Sequence, residues 1–129
     1  MRLQHAEHNE KLCKHLMHIN SFPDWVVTTA FYSALHFIEH KLFPLGVGDK
    51  SYSTFNQYYL SEVQNTDNEK SKHEAKIDLV HNHLNAAHPH YRQLFDLCMT
   101  ARYRNYKVDP LEAKMAQQRL EIIKTYCTQ

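Results

Sequence analysis

Apolar and polar positions alternate along this chain with helical periods, and strand-like runs of β-branched residues are few. The spacing predicts a first helix over about 3–20, with Leu12, Leu16 and Ile19 on one stripe and charges and histidines around the rest. Ser21-Phe22-Pro23-Asp24 opens a second. A serine followed three positions later by an acid can satisfy first-turn amides, and a proline loses nothing there because those amides lack helical partners. From Trp25 to Phe43 the apolar residues Val26, Val27, Ala30, Phe31, Tyr32, Ala34, Leu35, Phe37, Ile38 and Leu42 point in nearly every direction around the axis. A helix apolar all round is a helix buried all round.

Pro44 and Gly46 end that helix, and 46–53 reads as a loop leading into a short, polar helix over about 54–64. Thr66-Asp67-Asn68-Glu69 has the pattern of a capping box for a third long helix, which runs to about Ala87 with Ile77, Val80 and Leu84 inward. Pro89 starts a fourth, striped by Tyr91, Leu94, Phe95, Cys98 and Ala101. Asp109-Pro110-Leu111-Glu112 starts a fifth, with Met115, Ile122 and Tyr126 on one side. The expected fold is all-α: an antiparallel four- to five-helix up-and-down bundle.

Composition narrows this picture. With 129 residues and 43% hydrophobic content the chain can bury one core, so a single domain over 1–129 is expected. A formal charge of +1 excludes a global field for polyanions, leaving only local patches. No apolar run approaches the roughly 18 residues of a membrane span, and Met1-Arg2-Leu3-Gln4-His5 lacks a signal-peptide core, so no membrane and a cytoplasmic location are the expectation. Cys13, Cys98 and Cys127 are odd in number and lack CxxC spacing, which argues for packed thiols over a disulfide framework or zinc ribbon.

Three segments then carry a resemblance. Asp24-Trp25-Val26-Val27-Thr28-Thr29-Ala30-Phe31-Tyr32-Ser33-Ala34-Leu35-His36 ends in an aromatic pair followed by Ala-Leu-His. Ser71-Lys72-His73-Glu74-Ala75-Lys76 approximates Ser-His-x-x-Arg. Tyr91-Arg92-x-Leu94 through Ala101-Arg102-Tyr103 approximates Tyr-Arg-x-Leu…Ala-Arg-Tyr. In that order they resemble small bacterial and archaeal HEPN-domain proteins across Pro23 to Tyr103.

The resemblance implies a helical, dimeric domain acting on RNA or nucleotide, associated with toxin–antitoxin or defence systems and with a nucleotidyltransferase-type partner. It also implies an Arg and a His separated by four to six residues, and here the chain departs. After Arg102 and Arg104 those spacings hold Lys107, Val108, Asp109, Pro110 and Leu111 beside Tyr106, and the one formal match, Arg2 to His8, falls on the first helix. Metal-independent RNA cleavage needs a base for the 2′-hydroxyl and a cation for the phosphorane. Arg102 supplies a cation, but a phenol with an ordinary pKa of about 10 is a poor base at neutral pH. Divergent family members carry Tyr near this position. The expectation is binding without standard ribonuclease chemistry and without a cofactor.

Helical spacing puts His36, His73 and Arg102 inward from three helices, with Glu39 one turn from His36 as a partner. They either line a polar cleft for a phosphate-bearing ligand, with Arg92, Arg104, Tyr106 and Lys107 beside it, or bond one another and fix helix register. Cations from Arg92 to Lys107 serve RNA or the helix dipole, and Tyr103 and Tyr106 either stack on bases or pack on the last helix. A metal reading uses His36 and His40, four apart, among the 11 histidines; it lacks the Glu-x-x-His repeats of di-iron bundles. A non-catalytic protein-interaction domain is the other class of function.

Overall fold

A computed structural model describes residues 2–64 and 70–129. It is mostly helical, with one two-stranded hairpin. Helix α1 is Arg2–Ile19 and α2 Pro23–Leu42; strands β1 (Leu45–Val47) and β2 (Lys50–Tyr52) follow, then α3 (Phe55–Tyr58) continuing into a π-helical turn, Tyr59–Val63. Helix α4 (Lys72–His83) passes through a 3₁₀ turn, Asn85–Ala87, into α5 (His88–Tyr103), and α6 is Pro110–Cys127. The Thr66-Asp67-Asn68-Glu69 capping pattern lies outside the described residues. Helix α4 starts instead on Ser71, whose hydroxyl accepts from the Glu74 amide.

Helix α2 is the centre. Val26, Val27, Ala30, Phe31, Ala34, Phe37 and Ile38 are buried around its circumference, and α1, α5 and α6 all pack on it. The phenyl ring of Phe31 alone meets Tyr32, His73, Tyr91 and Phe95, with centroids 5.1–5.9 Å away. Local signals explain several ends. At α6 the Asp109 side chain accepts from the Leu111 amide at 2.8 Å while Glu112 reaches back to the Asp109 amide, so the start signal at Asp109-Pro110 is made as a full capping box.

Four expectations are corrected. Ser21 does not cap α2: its hydroxyl donates to the Ile19 carbonyl, and Phe22 occupies the N-cap position without a side-chain bond. The expected loop over 46–53 is mostly an antiparallel hairpin, registered Leu45↔Tyr52 and Val47↔Lys50 around Gly48-Asp49, where Gly48 holds φ 62°.

On α1 the buried residues are Ala6, Glu10 and Cys13, while Leu12 and Ile19 are exposed. Small residues win that face because α1 approaches α2 closely enough for Ser33 to donate to the Ala6 carbonyl at 2.7 Å. Glu10 can be buried there because Lys124 of α6 donates to both its oxygens, at 3.1 and 3.0 Å. Burial pushes its carboxyl up, but Lys124 and Lys14 outweigh that and hold it below the usual range.

On α6, Ala113, Ala116, Leu120, Ile123 and Cys127 face inward rather than Met115, Ile122 and Tyr126, of which Ile122 is exposed. No helix among the described residues is long and apolar enough to cross a membrane.

Candidate functional site

Helix α5 ends because its backbone turns on itself after Thr100. The Thr100 carbonyl accepts from the amides of both Arg104 and Asn105, and the Asn105 side chain then accepts from the Lys107 amide at 3.0 Å. This Asx-type turn presents Tyr106 and Lys107 beside the first turn of α2.

Arg102, in the last turn of α5, is exposed rather than inward, since the helices that cover the middle of α5 no longer cover its end. Its guanidinium donates to the Tyr32 hydroxyl and lies 5.7 Å from the Tyr32 ring centroid and 5.0 Å from that of Tyr103. Three adjoining cavities follow this edge. The first, about 410 Å³, is lined by Asn9, Trp25, Thr28, Thr29, Tyr32 and Arg102. The middle one, about 220 Å³, shares Trp25, Thr28 and Arg102 with it and adds Asp24, Ala101 and Tyr106. The third, about 490 Å³, continues from Asp24 and Tyr106 past Phe22 to Lys107 and Val108.

The lining is unusual in its exposed rings. Trp25 (53%) and Tyr106 (68%) share the middle cavity with Arg102, Phe22 (50%) lines the third, and Tyr103 (68%) lies against the Arg102 guanidinium, all of them exposed. Among the described residues, Phe22, Trp25 and Tyr106 stack on no other ring, and each is half or more exposed. Solvent-facing rings beside a cation are the parts with which proteins hold unstacked bases and their phosphates.

The other expected site residues lie elsewhere. His36 is half-buried against α1, its ring stacked on His5 at 3.7 Å. Glu39 stands 3.9 Å from His36 Nδ1 but receives Lys76 Nζ at 2.6 Å, so its main partner is the lysine. His73 sits near the Phe31 and Phe95 rings and lines a separate cavity of about 470 Å³ with Lys70, Arg92 and Asp78. Arg104, at the α5 C-cap, is exposed. Thus Arg102 and Tyr106 share a cavity, His36 and Glu39 share a network with Lys76, and His73 belongs to a third place.

Sequence reasoning missed Trp25 and Asp24 as site residues. The available signal for Trp25 is its position in the first turn of α2, where neighbouring helices give least cover. Among the described residues no group of three or more His, Cys, Asp or Glu is placed to hold a metal ion.

Burial pushes both His36 and His73 below the ordinary imidazole value of 6.5; His5 and Lys76 add to this at His36 against the pull of Glu39, and Lys76 and Arg102 add to it at His73. A folded-state pKa below the unfolded one means that the unfolded chain takes up protons first. Stability contributed by the neutral imidazoles is therefore complete above about pH 6.5 and declines as pH falls through that value. Thermal melts between pH 8 and 5 should show this decline, and a double His36→Gln, His73→Gln variant should flatten it. A wild-type melting temperature that rises on acidification would contradict the assignment.

No protein-family model, curated protein or solved structure matches this chain.

Proposed function

We propose that the chain is a HEPN-like antiparallel helical bundle that binds nucleotide or RNA, without ribonuclease chemistry, along the edge formed by the start of α2, the end of α5 and the α5–α6 turn. The observation that carries this reading is the set of exposed rings, Trp25 and Tyr106 in one cavity with Arg102 and Phe22 in the adjoining one. Base–aromatic stacking contributes about 1–3 kcal/mol per base and tolerates sequence, while Arg102 and Lys107 supply cations for the backbone. No histidine follows Arg102 at the spacing that RNA cleavage by the resembled family requires, which favours binding over catalysis. The nucleotidyltransferase-type partner and the second copy implied by the resemblance belong to the same proposal; Leu111 and Ile122, exposed on α6, offer apolar surface that a second copy would cover.

Trp25 is the sole tryptophan, so its fluorescence reports the site directly. Titration with a short single-stranded oligoribonucleotide should quench it, with affinity falling as salt rises. Arg102→Met should weaken binding about tenfold with little change in melting, because the side chain is exposed. Labelled RNA incubated in chelator should stay intact. No quenching by the oligoribonucleotide would sink the binding reading, an unchanged Kd for Arg102→Met would take Arg102 out of the site, and cleavage that Arg102→Ala abolishes would overturn the non-catalytic reading.

A further inference from the structure

The polar lining of the three cavities is dominated by donors and hydroxyls: Asn9, Thr28, Thr29, Arg102 and Lys107. Thr28 and Thr29 turn their hydroxyls back onto helix carbonyls, donating to Asp24 O at 2.8 Å and Trp25 O at 2.7 Å. Asp24 is the exception. Asp24 lines both the middle and the third cavity, and among the described residues its carboxylate makes no ion pair or side-chain hydrogen bond. A carboxylate there repels phosphate and accepts hydrogen bonds, so the part of a nucleic acid that meets it must bring donors, and a base does so through N–H groups.

The flanking groups define which donors. Trp25 and Tyr106 border the same middle cavity as Asp24, and cations stand on either side, Arg102 towards the first cavity and Lys107 in the third. We propose that the middle cavity selects an unpaired guanine, whose adjacent N1–H and N2–H groups donate to the two oxygens of Asp24 while its ring stacks on Trp25 or Tyr106 and the flanking phosphates lie towards Arg102 and Lys107. Adenine and cytosine present one amino group on that edge, and uracil one N–H between two repelling carbonyls. Only guanine matches both carboxylate oxygens. In a duplex this edge is occupied by the pairing partner, so the base must come from a single strand. The inference rests on the nucleic-acid reading of the groove and adds base identity to it. An acid in the first turn of α2 also favours the helix dipole, a role indifferent to which base is offered.

The test uses the full chain and the fluorescence of Trp25. The probes are uridine pentaribonucleotides with a central guanosine, inosine or adenosine; inosine lacks only the N2 amino group. The guanosine oligomer should bind about tenfold or more tightly than the adenosine one, with inosine between them. Asp24→Asn should bring the three within about twofold while the protein still binds all of them. Equal affinity for guanosine and adenosine oligomers in the wild-type protein overturns guanine selection yet leaves the binding reading standing. Absence of binding to any of the three removes both. A melting-temperature change in Asp24→Asn with the guanosine preference intact assigns the carboxylate to the helix dipole and overturns the proposal.

Discussion

Glu39→Ala is expected to lower unfolding free energy by about 3–5 kcal/mol, the usual cost of stranding one member of a buried ion pair. The pair is Glu39 with Lys76, at 2.6 Å, with side chains 17% and 9% exposed, and the ammonium also lies 4.3 Å from the Phe55 ring centroid. Removing the carboxylate leaves Lys76 without its counter-charge in a site where burial already pushes the ammonium below its ordinary range against the pull of Glu39. The sign of the pH dependence follows. In the variant the folded lysine holds its proton less tightly than the unfolded one, so its stability should recover as pH rises towards about 10.5. Changing both residues, Glu39→Leu with Lys76→Met, should restore much of the loss, because an apolar pair of similar volume needs no desolvation. Denaturant melts of wild type, Glu39→Leu, Lys76→Met and the double variant measure the coupling. A Glu39→Ala variant within about 1 kcal/mol of wild type would show the lysine to be solvated and the pair weak.

Phe31→Ala should cost about 3–5 kcal/mol, a large share of the roughly 5–15 kcal/mol that holds a domain together. The ring is fully buried and touches four aromatic neighbours from α2, α4 and α5, so no single side chain can close the space it leaves. The effect should also reach the groove, since Tyr32, which receives the Arg102 guanidinium, packs edge-on against Phe31. Trp25→Ala is the counterpart control: more than half exposed, it should change melting little and binding much. If Phe31→Ala melts within a few degrees of wild type, the centre of the core has been misassigned.

Helix α2 was legible because its apolar positions leave no polar face, a pattern that needs no knowledge of partners. The start of α6 was legible because Asp109, Pro110 and Glu112 act within one turn. The faces of α1 and α6 were not. Leu12 and Ile122 look like core residues when helices are read singly; what decides is that Ala6 and Cys13 permit a close approach to α2, and that Glu10 has cations from α1 and α6 to meet it. Lys76 illustrates the same limit. In the sequence it departs from an arginine pattern, whereas in the fold it is the buried partner of Glu39. The hairpin had a local signal, Gly48-Asp49 between short segments, that the all-helical reading passed over. In the expected site, Arg102 and Tyr106 come together because both lie near the end of one helix. His36 and His73 went elsewhere because a helical stripe fixes direction and not depth.

The Glu10–Lys124 contact joins residues 114 apart in the chain. During synthesis on the ribosome, α1 and α2 emerge long before the lysine that neutralises Glu10 exists, and the face of α2 that α6 covers stays open until then. Until α6 is made, Glu10 has only Lys14 of its own helix to meet it and α2 keeps a bare apolar face, and the arrival of α6 closes both in one step.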